Sequence, residues 1–198
     1  GKAENKFGIA YDRAPEVYAR AARLPGIDVA GVDMHIGSQI TALEPFEEAY
    51  RRMADLVVRL KRDGIAIRHL DLGGGLGIPY RHGNEIPPHP EEYAGIVKRT
   101  LGHLGLRYVF EPGRLFTGNA GILVTRVVYM KPGEAKSFCI VDAGMNDLIR
   151  PTLYDAWHDI IPLAEPEDGG LTAKVDVVGP VCESGDFFAK DRDMPPLR

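Results

Sequence analysis

Cysteine is scarce: among 198 residues only Cys139 and Cys182 occur. Two thiols far apart, without the paired spacing of a metal site, argue against a disulfide framework and for a reducing compartment. No apolar run approaches the ~20 residues that a bilayer-spanning helix needs, and no stretch reads as a signal peptide. Positive charge is not in excess. Lys plus Arg number 24 against 28 Asp plus Glu, a net charge of −4, so no basic footprint points to nucleic acid or an anionic membrane surface. What remains, 44% apolar and 26% charged, is the composition of a soluble globular protein, expected in the cytoplasm.

Several chemistries lack their signatures. The six histidines show no metal-ligand spacing, and no metal site is expected. No Gly-x-Ser-x-Gly elbow and no P-loop occur. Gly75-Leu76-Gly77 is followed by Tyr80 where the third glycine of a dinucleotide fingerprint belongs.

Up to about residue 111, short apolar runs alternate with helical periodicity. Lys6–Ile9 reads as a strand and Pro15 opens a helix over 15–24. Residues 27–35 read as a strand, and Thr41-Ala42-Leu43-Glu44 as a capping box. Phe46, Ala49, Met53, Leu56, Val57 and Leu60 recur at helical spacing up to Gly64. A strand follows over 65–72, then a helix from Pro90 to about Gly105 and a strand over 107–110. Such alternation over short connections predicts βαβ units and a parallel sheet. From about 120 the pattern becomes strand–turn–strand, with 122–129, a turn over 131–134, and 138–141, then a strand over 175–178. Asp193–Arg198 reads as a turn, and both ends read as those of a fragment of a longer protein.

Polar or glycine-rich residues close three of these strands: His35–Gln39, Gly73–Gly77 and Glu111–Arg114. In a βα barrel such ends converge on one mouth. The glycine run either admits an anion to backbone N–H groups or simply makes a tight turn. His35 is a loop histidine or a functional one. Glu111 and Arg114 form either a surface ion pair or a pair that holds a ring nitrogen and an anion. Downstream, Arg150 and Tyr154 share a face if a helical turn follows Pro151. Cys139 reads as a small buried hydrophobe, whereas Cys182, among polar neighbours, is the candidate for proton transfer.

Taken in order, His35-Ile-Gly-Ser-Gln, Gly73-Gly-Gly-Leu-Gly, Glu111-Pro-Gly-Arg, the segment from Asp142 to Tyr154, and Gly179-Pro-Val-Cys-Glu-Ser-Gly-Asp186 resemble the diaminopimelate decarboxylase family. That family lies within the alanine-racemase-like, fold-type III group of pyridoxal 5'-phosphate (PLP) enzymes, and the likeness covers essentially the whole chain. The resemblance implies an α/β fold: part of a (βα)8 TIM-type PLP-binding barrel over 1–118, then part of an antiparallel β domain over 119–198. It implies decarboxylation of meso-2,6-diaminopimelate to L-lysine and CO2. The alternatives are an ornithine, arginine or carboxynorspermidine decarboxylase, or a non-catalytic PLP-binding homologue.

The resemblance also assigns roles. His35 would stack on the cofactor ring and Ser38, Gly73, Gly74, Gly75, Gly113 and Arg114 would surround its phosphate, while Glu111 would pair with the ring nitrogen. Arg114, Arg150 and Tyr154 would grip the distal end of the amino-acid substrate. Cys182 would donate a proton and Glu183 would contact the distal amino group, both in the neighbouring subunit of a homodimer with composite active sites. The family's Schiff-base lysine lies upstream of these motifs, and neither Lys2 nor Lys6 takes that role. Plastid localisation would follow for a plant source.

Overall fold

The computed structural model describes residues 6–81, 86–164 and 172–195. The chain divides into two units: residues up to Pro79 with Ile86–Ala120, and Gly121 onward together with Tyr80 and Arg81. Each unit has its own apolar cluster.

In the first unit, strands β1 (Gly31–Asp33), β2 (His69–Asp71) and β3 (Arg107–Val109) form a parallel sheet in that order. Gly31 pairs with His69 and Asp33 with Asp71, and His69 pairs with Arg107 and Asp71 with Val109. The ladders are shorter than the apolar runs that suggested them, but backbone bonds prolong the pairing at both ends. Arg68 N–H donates to Ala30 O at 2.8 Å, Met34 N–H to Asp71 O at 3.2 Å, and Leu72 N–H to Val109 O at 3.0 Å. Residues 6–9 form no strand.

Helix α1 (Ala14–Ala21) follows a 3-10 turn over Tyr11–Arg13, and helix α2 (Glu44–Arg62) is the longest element. Its buried residues Phe46, Tyr50, Met53, Val57 and Leu60 recur every three or four positions and face Leu70, Leu72, Ile96, Val97 and Leu101 in one cluster. The capping box expected at Thr41 and Glu44 does not form. The N-cap is Leu43, whose carbonyl accepts from Phe46 and Glu47, both at 3.1 Å. Pro45, lacking an N–H, occupies the first turn and sets the start two residues later than Thr41 would. The C-terminus behaves as read. Gly64 has φ +86°, and the bonds Ile65 N–H to Leu60 O (3.0 Å) and Gly64 N–H to Lys61 O (3.1 Å) make a Schellman motif.

A capping box that the sequence did not suggest opens helix α3 (Pro90–Leu101). His89 Nδ1 accepts from Glu91 N–H at 3.4 Å, and Glu92 takes the His89 N–H at 2.9 Å. The hydroxyls of Tyr50 and Tyr93 are hydrogen-bonded between α2 and α3, and burial pushes both phenols up from their ordinary pKa. Helix α4 (Gly113–Thr117) ends the ordered helices of this unit.

The second unit is a sheet in the order β4 (Val127–Lys131), β5 (Ser137–Val141), β6 (Ala173–Val178), β7 (Phe187–Met194). The hairpin β4–β5 is present, with Met130 opposite Cys139, and β6–β7 is also antiparallel. The central pair β5–β6 is parallel, so the sheet is mixed. Residues 122–126 lie outside any strand. Strand β7, which the sequence did not suggest, runs on through Asp193 and Met194, the first two residues expected as a terminal turn; residues 196–198 lie outside the described ones. Its charges, Lys190 to Asp193, hid it. Arg192 is buried nevertheless, and Asp191, at φ +49°, bulges to donate its N–H to Asp176 at 2.8 Å. Cys139 is buried in this core, and burial raises its thiol pKa.

Candidate cofactor and substrate site

The three strand ends singled out in the first unit are bonded to one another. Glu111 N–H donates to Gly73 O at 2.8 Å, joining the ends of β3 and β2. Ile40 N–H donates to Gly75 O at 2.9 Å and Gly77 N–H to Ile40 O at 3.0 Å, joining the ends of β2 and β1. The Gln39 amide clasps Ile78 through both backbone groups, at 2.6 and 3.2 Å. Arg114 Nε donates to Ser38 Oγ at 3.1 Å, joining the ends of β3 and β1. Residues from three separate motifs are thus one assembly. Gln39, at φ +57°, was not singled out by sequence; its signal was only its place beside Ser38.

The glycines have two uses here. At Gly74 a Cβ would stand well inside van der Waals contact of the Glu111 carbonyl, and at Gly75 it would meet Gly37 O at 2.5 Å. Close approach of the strand ends therefore requires the missing side chains. The backbone amides divide as well. Gly73 N–H is held by Asp71 Oδ1 at 2.9 Å, and Gly113 N–H by Glu111 O at 2.8 Å. Those of Gly74 and Gly75 have no acceptor among the described residues. His35 is exposed, its Nδ1 3.2 Å from where a Gly73 Cβ would stand, and the Glu111 side chain is exposed too.

In the second unit, Arg150 and Tyr154 are the first and last residues of helix α5 (Arg150–Tyr154). Tyr154 is exposed. Arg150 is half-buried, with Nη1 2.9 Å from His158 Nε2 and its guanidinium 5.0 Å from the centre of the Tyr80 ring. Cys182 and Glu183 are exposed on the loop from Gly179 to Asp186. Two ties fix that loop: Thr152 Oγ1 donates to Gly185 O at 2.5 Å, and buried Asp186 accepts from Val181 N–H at 2.7 Å and Met145 N–H at 2.6 Å. The polar run after β5 is tied to the chain that precedes β4. Asp142 accepts from Arg126 N–H and Thr125 Oγ1, at 2.8 and 2.7 Å, which lowers its pKa. Asp186 closes the motif that begins at Gly179 but was given no role by sequence, and His158 was given none because it stands at no periodic position. No cluster of three or more metal-type side chains occurs among the described residues, and no helix among them is long and apolar enough to cross a membrane.

Comparison with known proteins adds identity to this geometry. Over 194 residues the chain is 56% identical to the diaminopimelate decarboxylase of Pseudomonas aeruginosa, and over 195 residues 54% identical to that of Vibrio cholerae. Each match covers 98% of this chain and 46% of the relative, so the chain spans about half the length of the curated relatives it matches. The crystal structure of diaminopimelate decarboxylase from Helicobacter pylori complexed with L-lysine superposes with a TM-score of 0.90 at 41% identity, covering 100% of this chain and 48% of that one. Residues 1–118, which hold all three bonded strand ends, match the family described as pyridoxal-dependent decarboxylase, pyridoxal binding domain, and the chain belongs to that family.

Proposed function

We propose that the protein of which this chain is part removes CO2 from meso-2,6-diaminopimelate to give L-lysine, with pyridoxal phosphate as cofactor. Residues 1–118 belong to the cofactor-binding barrel and 119–198 to the β domain. The observation that carries the reading is the joined set of strand ends, where the unengaged amides of Gly74 and Gly75 lie in the same bonded assembly as Arg114 and Ser38. N–H donors without a protein acceptor, a guanidinium and a hydroxyl suit a phosphate. An exposed imidazole and an exposed carboxylate suit a flat, protonatable ring. The residues present therefore fit the group.

When bound, pyridoxal phosphate supplies an electron sink for the bond that breaks. The chain's own residues supply the rest. Glu111 holds a proton at the ring nitrogen, and His35 covers the ring face. Arg150, Tyr154 and Arg114 bind the distal end of the substrate, which keeps their positive charge away from the carboxylate that leaves and so favours its departure as neutral CO2. The C–C bond to that carboxylate breaks, its electron pair stays on Cα, and the Cys182 thiol gives its proton there; solvent returns the proton to sulfur. Glu183 meets the distal amino group. The exposure of Cys182 and Glu183 supports their service to a site completed by a second copy of the chain. Two free thiols support a cytoplasmic setting.

The test uses the complete protein with its cofactor, offered meso-diaminopimelate, ornithine and arginine separately, with CO2 release measured. Release from diaminopimelate alone is expected. Release from ornithine or arginine instead overturns the substrate, and none from any of them overturns the enzymatic reading.

A further inference from the structure

Arg150 has no carboxylate partner among the described residues; its one hydrogen bond there is to a histidine ring nitrogen. Guanidinium carries only donors, so His158 Nε2 must offer its lone pair, and the ring proton sits on Nδ1. The histidine is held on three sides. Its Nε2 takes Arg150 Nη1 at 2.9 Å, its ring meets Tyr80 edge to face with centroids 5.7 Å apart, and its backbone carbonyl takes Arg192 Nη2 at 2.9 Å. Neither Arg150 nor His158 can turn without breaking these contacts.

We propose that His158 is a positioning residue: neutral, it sets the Arg150 guanidinium for the distal carboxylate of the substrate, and protonated, it releases it. The proposal rests on the reading of Arg150 as a substrate-binding residue. No sequence motif assigns His158 a role.

The surroundings keep the imidazole neutral. Arg150 comes from α5 and Arg192 from β7. Tyr80 and Arg81 precede the site in sequence, Arg81 lying 4.3 Å from the centre of the Trp157 ring. Arg192 lies 3.3 Å from that ring centre, and Asp159 is the one carboxylate in the group among the described residues, 3.9 Å from Arg192 Nη1 and bonded to Trp157 Nε1 at 2.8 Å. Burial, then Arg150, then Arg192 lower the His158 pKa below its ordinary value. A proton added there turns the acceptor into a donor facing Arg150's own N–H and places a third cation beside two others.

The experiment measures KM and kcat of the complete holoenzyme for meso-diaminopimelate between pH 5 and 8. In the wild type KM rises at acid pH, in a limb that lies below the ordinary imidazole value of about 6.5 because the folded pKa is lowered. His158→Ala raises KM about tenfold at every pH, the order of one lost hydrogen bond to a charged group, with kcat changed far less. His158→Gln, whose amide oxygen still accepts from Arg150 and does not titrate, restores most of the affinity and abolishes the acid rise. Imidazole 15N spectra give a second readout: the Nδ1–H tautomer in the wild type, and a pKa moved upward in Arg150→Ala. Thermal melts confirm that each variant folds. An acid rise that survives His158→Gln, or an unchanged KM in His158→Ala, overturns the proposal if Arg150→Ala itself raises KM. An unchanged KM in Arg150→Ala overturns the underlying reading of Arg150 instead.

Discussion

Arg114 Nε donates to Ser38 Oγ at 3.1 Å, a bond between residues 76 positions apart. Because β2 lies between β1 and β3, this bond bridges the two outer strand ends over the glycine run of the middle one. The guanidinium is thereby aimed by the protein before any anion arrives, which lowers the cost of binding one.

Arg114→Lys removes the planar fork that can hold a hydroxyl and an anion together; an ammonium on a flexible stem offers a point charge only. The expected outcome is cofactor affinity reduced about tenfold or more in an absorbance titration with pyridoxal phosphate, at a melting temperature close to wild type. Equal affinity would remove Arg114 from the phosphate site.

Two glycines of the same assembly answer alanine differently. At Gly74 a Cβ collides with the Glu111 carbonyl, whereas at Gly113 nothing lies within 4 Å. Gly74→Ala is expected to cost about 1–3 kcal/mol, as overpacking does, and to loosen the cofactor. Gly113→Ala, at the first position of α4, should be neutral or slightly stabilising. Urea unfolding of the complete protein separates them. Equal costs would contradict this account of the glycine run.

The elements that were legible in the sequence were those with a period or a stop signal. Helix α2 shows its apolar stripe and its Gly64 terminus, and the parallel order of β1 to β3 follows from alternation. Strand β7 was not legible, since the charge of Arg192 is accommodated by Trp157 and Asp159 and that of Asp191 by Lys136, partners distant in sequence. The site divides in the same way. His35, Ser38, Gly74, Glu111 and Arg114 announce themselves as polar ends of apolar runs. His158 sits in irregular chain, and only the fold brings it to Arg150. The glycine run allowed two readings by sequence, and the structure has room for both: packing forbids a Cβ, and two amides remain open.

Thiol chemistry separates the two cysteines. Cys139 is buried with its pKa raised, and Cys182 is exposed. An alkylating reagent at pH 8 should label Cys182 within minutes in the cofactor-free protein and Cys139 only after unfolding, as read by peptide mass. Labelling at Cys182 should abolish CO2 release, because the thiolate it consumes is the proposed proton donor's conjugate base. Full activity after labelling would exclude Cys182 from proton transfer.

Buried Asp176 on β6 takes Lys136 Nζ, just before β5, at 2.9 Å and the Asp191 N–H of β7 at 2.8 Å. Asp176→Ala leaves that backbone N–H without its acceptor and should cost about 1–3 kcal/mol in urea unfolding. The hydrogen bond to Asp176 raises the Lys136 pKa above its ordinary 10.5, assisted by the charges of Asp176 and Asp191. A raised lysine pKa means that the folded state holds this proton more tightly than the unfolded chain. The contribution is therefore complete below the ordinary, unfolded value and is lost as pH climbs through the higher folded value. Melting temperatures of the wild type should fall across that alkaline window more steeply than those of Lys136→Met, which has no proton to lose. Parallel alkaline slopes in the two proteins would show that the Lys136–Asp176 pair contributes nothing to stability.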